Sequence, residues 1–180
     1  MLKIALVGNI ASGKSTVEKI LEEKGFKVYD TDKIAHEILA NSNEIIKEFG
    51  TNDRKEIAKI VFSNNKKLKL LESIIHPKVK KELEKIFNGN ERIVFVSVPQ
   101  LFEAGFETMF DKIIYITADK SIRLERLIKR NNFTPEEAQR RIEAQNETGK
   151  KEKCDFVIKN NFTLSDLKIQ IENILSILIR

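Results

Sequence analysis

Five short apolar runs, most of them rich in β-branched residues, alternate along this chain with longer stretches whose apolar positions recur every three or four residues. A short continuous apolar run suits a strand buried on both faces, and a 3.6-residue period suits an amphipathic helix. Their alternation predicts parallel strands joined by covering helices. The strands are expected at 2–7 (LKIALV), 27–30 (KVYD), 92–99 (RIVFVSVP), 112–118 (KIIYITA) and 155–160 (DFVIKN). STVEKILEEKG reads as a helix closing at Gly25, and LSDLKIQIENILSILI as a last helix whose apolar stripe packs on the sheet.

Two helical stretches interrupt this rhythm, residues 31–88 between the second and third strands and residues 119–153 between the fourth and fifth. The second is rich in arginine. No Pro/Gly/Ser linker separates either from the core, so both read as insertions in a single domain spanning 1–180. Its core is expected at about 1–30, 89–118 and 154–180, a substrate-holding insertion at about 31–88, and a lid at about 119–153. The fold class is α/β, three-layered, with a five-stranded parallel sheet flanked by helices.

Composition narrows the function classes. Hydrophobic residues make up 41% of the 180 and charged residues 33%, which is a soluble globular balance rather than a disordered one. The opening run MLKIALVG is too short for a membrane span and lacks a cleavage region, which makes the cytoplasm the expected location. Cys154 stands alone, so it offers neither an internal disulfide nor a metal cluster. The net charge of +5 comes from 32 basic against 27 acidic residues, interleaved as in KKELEKIF. Such faces are solvated helix surfaces, and the surplus suits an anionic small substrate; without a basic tract, no nucleic-acid partner is expected.

The chemistry begins at GNIASGKST, which fits G-x-x-x-x-G-K-[ST] with Gly8, Gly13, Lys14 and Ser15. It lies between a predicted strand and a predicted helix, the context in which backbone N–H groups wrap a phosphate. Gly8, Asn9, Ile10, Ala11, Ser12, Gly13, Lys14, Ser15 and Thr16 are therefore the expected nucleotide-binding loop. Lys14 would bridge the terminal phosphate oxygens and the Ser15 hydroxyl would coordinate Mg²⁺. A nucleoside triphosphate with Mg²⁺ follows; a chance glycine-rich turn is the weaker alternative.

Phosphoryl transfer also needs positive charge around the moving group and a carboxylate for the acceptor hydroxyl. Asp30 and Asp32 follow the second strand in VYDTDKIAHEI, at the strand end where open α/β sheets bind ligands. Either the pair does chemistry, or Asp32 or Thr31 simply caps the next helix. His36, one turn beyond Asp32, reads as structural or as a minor substrate contact. In SIRLERLIKRNNFTPEEAQRRIEAQ, Arg123, Arg126 and Arg130 share one helix face, and Arg140 and Arg141 lie on a second helix. Thr134 is its expected N-cap, with Pro135 at the first position and Glu137 completing a capping box. The hairpin is either a phosphate-clamping lid or a solvated pair of helices whose arginines face Glu125, Glu136, Glu137 and Glu143. In SVPQLFEAG, Leu101 and Phe102 offer an apolar wall, and Glu103 could orient metal-bound water, pair with a lid arginine, or be structural.

Taken together, these motifs resemble the dephospho-CoA kinases of the P-loop nucleoside/nucleotide kinase superfamily. The resemblance covers nearly the whole chain. It includes the phosphate loop, D-x-D, NDRKEIAKIVF, LLESIIHPKV, VPQLFE, RLIKR with RRIEAQ, and CDFVIKNN. The phosphate loop is unspecific; LLESIIHPKV and VPQLFE, in that order behind D-x-D, are much more specific.

The resemblance implies a P-loop kinase fold and transfer of the ATP γ-phosphoryl to the ribose 3′-hydroxyl of dephospho-CoA, giving coenzyme A and ADP. It also implies Asp32 as general base, with Asp30 supporting it or the metal shell. His76 and Pro77 would lie in the CoA-binding insertion, although Pro77 could equally open a helix. Arg141 would be the lid arginine nearest the transferred group, and Asn160 an adenine-side residue. Three departures stand out: Gln100 replaces a leucine, Arg123 replaces a glutamine, and Asn160-Asn161-Phe162 replaces Asn-x-Gly. A monomer is expected, with a homo-oligomer left open. The alternatives are another metabolite or nucleotide kinase, a P-loop regulatory protein, or a nucleic-acid-stimulated ATPase.

Overall fold

The computed structural model describes residues 1–145 and 149–179; part of the lid range expected at 119–153, and the last residue of the core range, therefore lie outside the described residues. Contacts divide the chain into two compact units, Met1–Tyr29 with Arg92–Arg180, and Asp30–Glu91.

The first unit is built on a five-stranded sheet of order β2-β3-β1-β4-β5. The strands are β1 Leu2–Gly8, β2 Lys27–Asp30, β3 Ile93–Ser97, β4 Lys112–Thr117 and β5 Phe156–Lys159. All run parallel, as the uninterrupted apolar runs predicted. Helices α1 (Lys14–Glu23) and α8 (Leu164–Leu178) cover one face. Val17, Ile20 and Leu21 of α1 and Leu167, Ile171, Ile174 and Leu175 of α8 pack with Ile4, Leu6, Phe95, Ile114, Ile116 and Ile158 into one core. Each such side chain contributes roughly 1.5–3 kcal/mol by leaving water. Helix α1 closes at Gly25 through the expected cap, with Phe26 N–H bonded to the Leu21 carbonyl at 3.1 Å and Gly25 N–H to that of Glu22 at 2.9 Å.

A helical hairpin, α6 (Lys120–Asn131) and α7 (Pro135–Glu143), completes this unit. Thr134 and Glu137 form the expected capping box, with Pro135 opening α7. Leu127, Ala138 and Ile142 make the hairpin's own core, and Ile10 and Ala11 of the phosphate loop pack against it.

The second unit resolves the helical stretch after β2 into α2 (Thr31–Asn41), α3 (Asn43–Phe49), α4 (Arg54–Phe62) and α5 (Asn65–Phe87). Asp30, Ser42, Asp53 and Asn64 cap them in turn, each accepting from a first-turn N–H. Leu39, Ile45, Phe49, Ile57, Leu71 and Ile74 form the unit's core. Pro77 does not open a helix, as one reading of the sequence allowed. It sits inside α5, where it removes the N–H that would bond the Ser73 carbonyl. Packing of Leu71, Ile74, Val79 and Leu83 on both sides of it keeps the helix continuous, overriding local propensity.

No helix among the described residues is long and apolar enough to cross a membrane.

Candidate functional site

In an open parallel sheet, ligands settle beyond the strand C-termini where neighbouring strands diverge. Here β1 lies between β3 and β4, and its C-terminal end runs into residues 8–15. The close pairing explains Gly8: it sits opposite Ile116 of β4, and a Cβ there would fall 2.7 Å from the Ile116 carbonyl oxygen. Gly13 adopts φ +91°, and a Cβ on it would fall 2.0 Å from Asn160 Nδ2. Gly13 is also the N-cap of α1, and no side chain caps that helix. Its first-turn N–H groups and positive dipole end therefore face the loop, an arrangement that favours negative charge there.

The loop is held from several directions. The Ser12 N–H closes a tight turn onto the Asn9 carbonyl at 3.0 Å. Arg126 of α6 donates to the carbonyls of Ala11 and Ser12, both at 3.3 Å, and of Asn160 at 2.8 Å. Asn160 Nδ2, buried beyond β5, donates to the Ser12 carbonyl at 2.8 Å. The Tyr115 hydroxyl donates to Asn9 Oδ1, and the Ile10 N–H donates to Gln145 Oε1 at 2.7 Å. Ser12 Oγ is buried with no hydrogen-bond partner among the described residues. Lys14 Nζ rests between Glu18 Oε1, at 2.7 Å, and Ser97 Oγ at the end of β3.

The residues singled out from sequence are placed as follows. Asn160, expected on the adenine side, directs its amide Nδ2 to the phosphate loop. Arg126, expected in the lid, grips carbonyls of the phosphate loop and of Asn160. Arg123 is only 5% exposed. Arg130 Nε donates to Asn131 Oδ1 at 3.0 Å, on the outside of the hairpin. Arg140 and Arg141 occupy exposed positions of α7, where the Arg141 guanidinium lies 4.5 Å from the centroid of the Phe133 ring. Cation–π stacking of this kind is weak when exposed, so Arg141 can leave at small cost. Leu101, expected in an apolar wall, is fully buried beneath its turn. Phe102 lies under Lys153, 5.5 Å from ring centroid to ammonium. Glu103 pairs with Lys150, a lysine past the hairpin helices rather than a lid arginine.

In the second unit, Asp30 is the residue that caps α2, accepting from the Asp32 N–H at 2.8 Å. The capping role therefore falls to Asp30, not to Asp32 or Thr31, because Asp30 keeps extended backbone angles while Thr31 is already helical. Asp32 sits exposed in the first turn. His36 is exposed further along α2, and His76 with Pro77 lies in α5.

Sequence reasoning missed the parts played by Glu18, Ser97, Tyr115 and Lys150, and gave Gln145 none. Glu18 was findable, one helical turn after Lys14. The other contacts join residues 47 to 135 positions apart, which no local pattern pairs.

Cys154 illustrates the opposite case, a reactive residue made inert. Burial first, then the carboxylates of Asp155 and Glu152, pushes its thiol up to about 11. At pH 8 the thiolate fraction is then on the order of 0.1%. Alkylation at pH 8 should be slow in the folded protein and should rise steeply towards pH 11, while unfolded chain labels at the ordinary thiol rate; labelling followed by mass spectrometry checks this.

A family model described as dephospho-CoA kinase matches residues 2–166. The chain is 42% identical over 184 residues to the dephospho-CoA kinase of Fusobacterium nucleatum, covering 94% of each chain. It is 36% identical over 191 residues to that of Bacillus licheniformis, covering 97% of this chain and 95% of the other. Among solved structures, a Campylobacter jejuni dephospho-CoA kinase superposes with TM-score 0.74 at 32% identity, over 98% of this chain and 96% of that one. A shikimate kinase from Bacteroides thetaiotaomicron, at TM-score 0.61 and 12% identity over 99% of each chain, shares the fold alone.

Proposed function

The chain belongs to the dephospho-CoA kinase family, and from that premise we propose how its residues carry the γ-phosphoryl group of ATP to the ribose 3′-hydroxyl of dephospho-CoA, giving coenzyme A and ADP. The observation that carries the donor half is the uncapped N-terminus of α1, behind a loop whose glycines admit no side chain. That arrangement suits a phosphate chain and little else. Lys14 is the movable charge. Leaving Glu18 and Ser97 for the β- and γ-phosphates, it would follow the negative charge that spreads in the transition state.

Mg²⁺ fits the chemistry of this donor set. No group of three or more His, Cys, Asp or Glu side chains suited to a metal exists among the described residues. A nucleotide-borne Mg²⁺ does not need one, because phosphates and water supply most of its ligands. The exposed Ser15 hydroxyl in the first turn of α1 would hold it, and the ion would supply charge neutralisation and Lewis-acid polarisation of the phosphates.

Asp32 is the residue proposed to accept the proton of the attacking hydroxyl, with Asp30 fixing the start of its helix. Transfer is direct and in line, without a phosphoenzyme. His76 and Pro77, with Phe102 and Glu103, are proposed on the acceptor side. Arg140 and Arg141, at exposed positions of α7, are proposed to close over the phosphates and exclude water as a lid. A monomer in the cytoplasm is the proposed working form.

The reading is tested by following ADP release with dephospho-CoA, nucleoside monophosphates and shikimate offered separately. Turnover with dephospho-CoA should exceed the others by at least about 100-fold, because acceptor contacts are realised in the transition state. Equal rates across the panel would remove dephospho-CoA as the substrate.

A further inference from the structure

The tip of the phosphate loop is not in a relaxed conformation. Ala11 has φ +59°, in the left-handed region that costs an L-residue roughly 1–2 kcal/mol. Next to it lies the buried Ser12 hydroxyl that finds no partner among the described residues. A loop of this kind holds its shape only because its surroundings hold it.

Most of the holding is done on one side. Arg126 and Asn160 grip carbonyls of residues 11 and 12, and the Ile10 and Ala11 side chains rest on the hairpin core. On the backbone of Ile10 there is a different contact: its N–H donates to Gln145 Oε1 at 2.7 Å, across 135 positions of sequence. Gln145 lies two residues beyond the end of α7, so this carboxamide joins the phosphate loop to the arginine-bearing hairpin. The carboxamide oxygen is an acceptor and does not itself attract phosphate. The Ile10 N–H, turned to it, is correspondingly withheld from the phosphate.

We propose that Gln145 is a positioning residue of this kinase: its side-chain oxygen pins Ile10 and thereby keeps the N–H groups that follow in the arrangement that binds ATP. The proposal rests on the reading of residues 8–15 as the ATP site. Its effect belongs to nucleotide binding, because the contact is made to the backbone of the phosphate loop and involves neither Lys14 nor Asp32. Loss of the bond frees the tip to relax, and each nucleotide bound must order it again.

The test compares Gln145→Met, similar in length but without the strong acceptor, with Gln145→Glu, which keeps an acceptor oxygen. In Gln145→Met the KM for ATP should rise about 3- to 10-fold, the range of one hydrogen bond, with kcat within about twofold. Hydrogen exchange at the Ile10 amide, read by NMR, should speed up by a similar factor in Gln145→Met and stay near wild type in Gln145→Glu. The melting temperature should move little in either, since the bond is exposed. An unchanged Ile10 exchange rate in Gln145→Met would overturn the proposal, as would a fall in kcat at constant KM. Wild-type protein that failed to bind ATP would instead refute the ATP-site reading, while the Ile10 exchange comparison would still decide whether Gln145 pins the loop.

Discussion

Gly13→Ala should abolish ATP binding while leaving most of the fold intact. Two independent penalties meet at this position. The backbone sits at φ +91°, beyond what a residue with a Cβ tolerates. The added Cβ would also fall 2.0 Å from Asn160 Nδ2. Asn160 is only 8% exposed and its amide is bonded to the Ser12 carbonyl, so it cannot withdraw without releasing the loop. Together the strain amounts to roughly 3 kcal/mol or more, and if the loop escapes it by changing shape, ATP affinity falls about 100-fold or further. Titration calorimetry with ATP, alongside thermal unfolding, checks both halves. Gly8→Ala makes the informative contrast. Its Cβ would strike the Ile116 carbonyl within the β1–β4 pairing, so that change should lower the melting temperature as well as affinity. ATP affinity within threefold of wild type in Gly13→Ala would mean that the loop does not bind in this conformation.

Asp32→Asn should cut kcat by about 10²- to 10⁴-fold, the usual worth of a positioned general base. ATP affinity should be unchanged within about twofold, because this side chain lies outside the phosphate loop. Asparagine preserves size and hydrogen bonding but cannot take the proton. The neighbouring residue separates structure from chemistry. Asp30 caps α2 through the Asp32 N–H, and asparagine caps as well as aspartate does. Asp30→Asn should therefore keep the melting temperature, whereas Asp30→Ala should cost about 1 kcal/mol of stability. Stopped-time assays of ADP formation at saturating substrates give kcat for all three. If Asp30→Asn lost turnover while Asp32→Asn kept it, the base would be Asp30, acting through the carboxylate oxygen that the capping bond leaves over.

The capping pair also shows how sequence reading can be right about a position and wrong about an assignment. D-x-D after a strand signals both a helix start and an acidic site, and both signals fall within four residues. Which aspartate caps depends on where the chain turns from extended to helical, one residue earlier than a cap at Thr31 requires and two earlier than one at Asp32. The capping box at Thr134 was legible because all of its parts lie within one helical turn. Pro77 misleads for the converse reason. Its local preference for a helix start is overridden by apolar contacts on either side of it in α5.

By itself, the sequence determined what short-range order can encode: five parallel strands, the phosphate loop between β1 and α1, the close of α1 at Gly25 and the cap of α7. Apolar periodicity, glycine spacing and capping residues all act within a window of about ten residues, which is why they can be read without coordinates. Only the tertiary structure decided what holds the loop in shape. Strand order β2-β3-β1-β4-β5 brings the ends of β3, β4 and β5 to the end of β1. That places Ser97 at Lys14, Tyr115 at Asn9 and Asn160 at Ser12, while the hairpin brings Arg126 and Gln145 to the same turn. These pairings carry no periodicity, because each joins two elements whose approach is fixed by burial of the sheet and not by any pattern along the chain.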